Sequence, residues 1–453
     1  MKKMTCPSHS RLTLLFLSAF SLLGTAFARG GERSSDPLGR HLLDDSGSKP
    51  RIDVAQGYMS NADLENAIMA FGKRCSNISQ IYSIGNTVNG VSMRVIEISD
   101  NPGREEPEPA FKAKLIVENV HLHILPSMNP DGFALKRRGN ANNVDLNRDF
   151  PDQFFAVNNV EDERQPETKA IMRWLRRIKF TASASLHGGA LVANYPWDGT
   201  QNKRKEYYAC PDDQTFQFLA SVYSRSHYNM SLSQEFPGGI TNGAAWYPIY
   251  GGMQDWNYIH AGCFELTLEI SDNKWPNASE LSTIWEYNRM SMLKLVATVA
   301  KTGVHGRIFS SDNGKPLPAF IAIKGINHTI KAGERFADYH RLLLPGEKYQ
   351  VMASMPGYKS KSTTIVLDEE ATTLDFILEP EGSRVAKILE TECDCSGNSK
   401  SRVEMADIFA HPNLEVSLIV IVVLVFLFLL LRRRLHMNPK QRPLSGPKGA
   451  TVV

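Results

Sequence analysis

The sequence predicts an α/β domain followed by a small β-sandwich, with an apolar segment near each end. Three observations carry this. Over residues 52–300 helical and strand patterns alternate, as they do when helices layer on a sheet. From Gly303 the texture changes to short strand-like runs divided by turn residues, the pattern of a sandwich. Near the termini, 12–27 and 416–431 are apolar runs in a chain whose overall composition, 42% hydrophobic and 22% charged, is that of a globular protein.

The elements follow in order. Lys2, Lys3 and Arg11 precede the first apolar run, which closes on Ala26-Phe27-Ala28. Basic flank, apolar centre and small-x-small end predict a secretory signal peptide over 1–28, with an uncleaved anchor as the alternative. Residues 29–51, rich in Gly, Ser, Asp and Arg, read as a flexible entry segment. A helix is predicted over 63–72 and a strand over 91–98. Pro166 starts a second helix whose Ile171, Trp174, Leu175 and Ile178 form one apolar stripe. The small and apolar run 181–186 is a buried strand ending at His187, with Gly188 and Gly189 opening the next loop. Residues 264–270 alternate with period two, which places Glu265, Thr267 and Glu269 on one strand face.

The β domain, 303–381, is predicted to hold strands over 304–309, 319–324, 340–343, 349–354 and 373–378. A stalk over 382–413 then leads to a membrane span over 414–431. Arg432, Arg433 and Arg434 follow at once and place the basic tail, 432–453, in the cytosol. This topology describes a single-pass type I membrane protein of the secretory pathway, at the plasma membrane, Golgi or endosome, with its main domain lumenal or extracellular.

Charge and modification signals agree with that topology. Removing the three basic residues of 1–28 and the six of 432–453 from the net +3 leaves the intervening part near −6, which argues against nucleic acid and favours basic ligands. The sequons at Asn77, Asn229, Asn277 and Asn327 all fall in the lumenal part and are expected glycosylation sites. Cys75, Cys210, Cys263, Cys393 and Cys395 remain after signal removal; the number is odd, and their pairing is not legible.

Three clusters carry chemistry. The first is Asn129-Pro130-Asp131-Gly132-Phe133, then Arg138, then Asn142-Asn143-Val144-Asp145-Leu146-Asn147-Arg148-Asp149-Phe150-Pro151. An arginine fork beside an amide donor holds a carboxylate in two-point fashion. The second is His187 with Asn194-Tyr195-Pro196-Trp197-Asp198, and the third runs from Gly243 to Asp272, with Tyr247, Gln254 and Glu269. In this order and spacing the clusters resemble the zinc metallocarboxypeptidases, in the regulatory branch that includes carboxypeptidases D, E, M and N, over about residues 52–380.

The resemblance implies a mixed-sheet metallocarboxypeptidase domain with a transthyretin-like β domain appended, and a general pattern close to the plant carboxypeptidase D-like membrane proteins. It implies Zn2+ as cofactor and peptides or proteins ending in Lys or Arg as substrates. Asn147 and Arg148 match the grip on the terminal carboxylate, and Arg138 the group that stabilises the oxyanion. His187 matches the third zinc ligand, Asp198 the acid that meets a basic side chain, and Gln254 the polar pocket floor. Tyr247 matches the mobile tyrosine and Glu269 the general base.

One departure stands out. The family draws its other two zinc ligands from a His-x-x-Glu loop between two strands, and here 108–112 begins the earlier strand while 115–126 already belongs to the later one. The two residues between cannot hold a parallel crossover, which takes a dozen or more, so the motif is deleted and His187 lacks its partners. His121 and His123 share a strand face with no acid in view at the right distance, and His41-x-x-Asp44 lies in the entry segment. Three readings result: a carboxypeptidase of basic C termini, a non-catalytic receptor for such termini, and a defective splice product or gene model of the active enzyme.

Overall fold

A computed structural model describes residues 57–104, 116–155 and 160–382. The expected signal, entry segment, stalk, membrane span, cytosolic tail and the earlier strand at 108–112 lie outside the described residues. Among the described residues no helix is long and apolar enough to cross a membrane.

Helix α1 (Asn61–Arg74) starts where the Ser60 hydroxyl accepts from the Asp63 amide and the Asp63 carboxylate accepts from the Ser60 amide. This reciprocal cap satisfies two otherwise orphan donors. Strands β1 (Ser79–Asn86) and β2 (Ser92–Ile98) form an antiparallel pair. The turn α2 (Ile116–Asn119) leads to β3 (Leu122–Ile124), which pairs antiparallel with β2. Of the strand expected over 115–126, Ile116–Asn119 is instead a helical turn and Leu122–Ile124 is strand. The ladder of β3 to β2 covers Leu122, His123 and Ile124, and Pro126 just beyond has no amide to extend it.

After the short helix α3 (Pro130–Ala134) comes α4 (Pro166–Arg177), which buries Ala170, Ile171, Met172 and Leu175. Strands β4 (Ala182–His187) and β5 (Ala190–Tyr195) precede helix α5 (Asp213–Ser226) and strand β6 (Ile240–Asn242). Next come α6 (Gly243–Trp246), α7 (Met253–Ala261), β7 (Phe264–Ser271) and the long α8 (Leu281–Lys301). The four strands form a mixed sheet in the order β4-β7-β5-β6, with β7 parallel to β4 and antiparallel to β5. Among the described residues no strand joins it to the β1-β2-β3 sheet. Strand β7 is buried on both faces, so the alternation read in its sequence marks polar positions inside the protein, not a solvated face. The main core gathers Phe216, Tyr223, Tyr258, Phe264, Leu266 and Trp285 around this sheet.

The β domain has β8 (Val304–Ser310), β9 (Phe320–Ile323), β10 (Ile326–Lys331), β11 (Asp338–Arg341), β12 (Lys348–Ser354), β13 (Lys361–Val366), β14 (Thr372–Thr373) and β15 (Phe376–Leu378). One sheet has the order β10-β9-β12-β13; the other has β8 flanked by β11, β14 and β15. Val304, Ile308, Ile321, Val351 and Phe376 from both sheets share one apolar core. The two parts of the molecule meet at a buried ion pair. Arg341 Nη2 donates to both Asp212 carboxylate oxygens at 2.8 Å, and the Tyr258 hydroxyl donates to Asp212 Oδ2 at 2.6 Å. The His328 ring stacks on Tyr258 with centroids 4.0 Å apart.

Candidate functional site

The parallel register of β4 and β7 sets His187 directly opposite Glu269. His187 Nδ1 lies 2.9 Å from Glu269 Oε2, and Arg138 Nη1 donates to His187 Nε2 at 2.9 Å. An arginine has no acceptor, so Nε2 accepts, the ring proton sits on Nδ1, and Nδ1 donates to the glutamate. Arg138 is aimed by a second partner, since its Nε donates to Asp145 Oδ2 at 2.6 Å. Asp145 in turn caps the 3-10 turn Leu146–Arg148, its Oδ1 accepting from the Asn147 amide at 3.0 Å. Sequence reasoning missed Asp145 as the residue that positions Arg138. Its signal was present, an aspartate at a turn start seven residues after the arginine.

Asn147 and Arg148 stand on that turn. The Asn147 side-chain carbonyl accepts from the Met253 amide at 2.9 Å, which ties the turn to the first residue of α7, and Arg148 Nη1 donates to the Asn147 carbonyl at 2.7 Å. Gly251 permits this closeness. Its φ is +70°, and a Cβ there would meet the Arg148 and Phe150 carbonyls at 2.6 and 2.9 Å.

Asp198 is buried. Its Oδ1 accepts from Asn194 Nδ2 at 3.0 Å and from Gln254 Nε2 at 2.9 Å. Gln254 is anchored from behind, its Oε1 accepting from the Thr267 amide of β7 at 2.8 Å. Gly243 leaves the space, because a Cβ there would meet Asp198 Oδ1 at 2.1 Å. Burial pushes the Asp198 carboxyl up to about 6, against the Asn194 hydrogen bond and the Arg148 charge, which favour ionisation. Asp255, whose oxygens accept from the Asp198 amide at 3.0 and 3.2 Å, is raised further by burial and by the Asp198 charge.

Tyr247 follows α6 and is 45% exposed. Burial of part of its ring raises the phenol; Glu269 and Asp198 raise it further, while Arg148 and Arg138 lower it. The structure thus brings His187, Glu269, Arg138, Arg148, Asp198 and Tyr247 into one constellation, with Asn147 and Gln254 holding its frame. The four sequon residues Asn77, Asn229, Asn277 and Asn327 are exposed on the surface.

A zinc ion held as a hydrolytic centre needs three protein ligands and one open position. Both ring nitrogens of His187 are engaged, one by a guanidinium, and among the described residues no set of three ligands includes it. Among the described residues, those at His187 do not fit the ion. The one three-residue ligand group among the described residues is Glu97, His121 and His123. This corrects the expectation that no acid lies near the histidine pair: the register of β2 and β3 sets Glu97 opposite His123. Strand pairing, invisible in local spacing, supplies that acid. Burial, the largest influence, and the charges of His121 and Arg177 push the His123 ring down to about 4, with Glu97 opposing.

Comparison with known proteins decides the family. Residues 110–291 match the zinc carboxypeptidase family model. Carboxypeptidase SOL1 of Arabidopsis thaliana is 58% identical over 454 residues, covering 93% of this chain and 92% of that one. The chain belongs to the zinc carboxypeptidase family. Within the family, the carboxypeptidase N catalytic chain of Homo sapiens is 35% identical over 72% of this chain and 86% of its own. Carboxypeptidase D of Homo sapiens is 37% identical over 70% of this chain, which matches 26% of that longer protein. Among solved structures, carboxypeptidase A from Helicoverpa armigera aligns with TM-score 0.45 at 14% identity, over 58% of this chain and 79% of that one.

Proposed function

We propose that this zinc carboxypeptidase family member recognises peptides by a C-terminal Lys or Arg and holds them without zinc-dependent hydrolysis at His187. One observation carries the reading. Asp198 is buried and held by Asn194 and Gln254 beside Arg148, while His187 is taken up by Arg138 and Glu269. A peptide's terminal carboxylate suits Arg148 and the Asn147 amide, and its basic side chain suits Asp198. The deleted His-x-x-Glu segment, read between 112 and 115, accounts for the missing ligands.

A second reading rests on the 58% identity to a protein named a carboxypeptidase: removal of the terminal Lys or Arg, with zinc completed by residues outside those described. One experiment separates the two. The purified full-length chain is given peptides ending in Arg, in Leu or in an arginine amide, and both binding and release of free arginine are measured. Saturable binding of the Arg-ended peptide without released arginine supports the receptor. Turnover abolished by Glu269→Gln replaces it with the peptidase, and absence of both overturns the proposal.

The reading also places the main domain on the lumenal side of a secretory membrane, with glycans at Asn77, Asn229, Asn277 and Asn327, and it treats the β domain as transthyretin-like. The exposure of the four asparagines supports this. Glycosidase treatment should then increase mobility of the secretory-expressed chain, and replacing all four asparagines should abolish that shift.

A further inference from the structure

We propose that Glu97, His121 and His123 form a binding site for one divalent transition-metal ion, separate from the His187 constellation. Glu97 lies on β2, the middle strand of the β1-β2-β3 sheet, and pairs in register with His123, while His121 immediately precedes β3. One ligand atom from each residue lies within 4.8 Å of the others, and Glu97 Oε1 is already 3.1 Å from His121 Nδ1. Zinc bonds of about 2.0 to 2.2 Å in a tetrahedron put ligand atoms roughly 3.4 Å apart, so small side-chain rotations close the gap.

The surroundings are those of a held ligand set. The Tyr82 hydroxyl lies 2.9 Å from His123 Nδ1, and Trp174 Nε1 donates to that hydroxyl at 2.8 Å. An outer hydroxyl on one ring nitrogen fixes the imidazole plane and tautomer, the role such partners play around metal-bound histidines. The Phe180 and Trp174 rings pack edge-on against His123. The Gly103 amide donates to Glu97 Oε1 at 3.1 Å and fixes the carboxylate. Two imidazoles and one carboxylate select zinc, copper, nickel or cobalt over magnesium or calcium, which take oxygen ligands. The His121 side chain is 33% exposed, so the cluster can be reached from solvent.

The alternative is a triad held by hydrogen bonds alone, and metal binding separates the two. Full-length chain is stripped with a chelator, returned to zinc, and its metal content, zinc affinity and thermal midpoint are measured; cobalt replaces zinc for the visible spectrum. The expected result is one zinc per chain, a midpoint raised by zinc, and the absorption of four-coordinate cobalt. Glu97→Gln and His121→Ala should each weaken zinc at least about 100-fold and remove the rise in midpoint, while His187→Ala leaves both unchanged. His121→Ala changes a partly exposed side chain, so the test stands where Glu97→Gln disturbs the sheet. A chain that takes up no stoichiometric zinc overturns the proposal. So does zinc that survives both site variants and is lost with His187→Ala.

Discussion

At the scale of single residues, the proposed preference for a basic C terminus rests on Asp198. Folding buries its carboxyl and raises it to about 6 from an ordinary 3.8, so the folded state favours the protonated form. By linkage, the stability that this group contributes is fully present below pH 3.8 and is lost as pH rises through about 6. A bound Lys or Arg side chain reverses the preference, since it interacts with the ionised form. Affinity for an Arg-ended peptide should therefore fall as pH drops below about 6, approaching tenfold per unit, while a Leu-ended peptide shows no such slope. Titration calorimetry at pH 5 and pH 7.5 checks this. Asp198→Asn removes the charge and keeps the Asn194 and Gln254 partners in reach, so it should lower the preference for Arg over Leu by about 10- to 100-fold and abolish the pH slope. An unchanged preference would mean that another acid meets the basic side chain.

At the scale of elements, the site is built where short turns are pinned to strand and helix ends. Gly251 shows how tight this is: its left-handed φ of +70° and its contact with the Arg148 and Phe150 carbonyls leave no room for a methyl group. Gly251→Ala should destabilise the domain by roughly 1 to 3 kcal/mol and weaken peptide binding together, read by urea unfolding and by calorimetry. The strands at 182–187 and 264–271 and the helix from Pro166 were legible because apolar periodicity and capping residues are local signals. So were the β-domain strands expected over 304–309, 319–324 and 349–354, whereas β11 ends at Arg341 within the expected 340–343 and the expected 373–378 is split between β14 and β15. Strands β10 and β13 were not, and the reason is physical: both are edge strands with largely exposed residues, so burial leaves little periodicity in their sequences. The residues of the His187 constellation were legible as motifs, whereas Asp145 and Glu97 became visible only when the turn and the strand register brought them to Arg138 and His123.

At the scale of the molecule, the α/β part and the β-sandwich are joined through Arg341 and Asp212, both with fully buried side chains. A charge there is tolerable only while paired, because transfer into a low-dielectric interior is repaid by its partner and its hydrogen bonds. The Tyr258 hydroxyl adds one of those bonds, and Arg341 also packs over the Phe264 ring at 5.3 Å, so the pair reaches into the main core. Arg341→Met leaves Asp212 buried without its cation and should cost about 3 to 5 kcal/mol. Asp212→Asn in the same chain removes the orphaned charge, and the double variant should recover much of the loss. Calorimetry provides the wider test. Wild type should unfold its two parts in one transition, whereas Arg341→Met should separate a β-sandwich transition from that of the α/β part. Two resolved transitions already in the wild type, or an Arg341→Met variant within about 1 kcal/mol of it, would show that the ion pair does not couple the two cores.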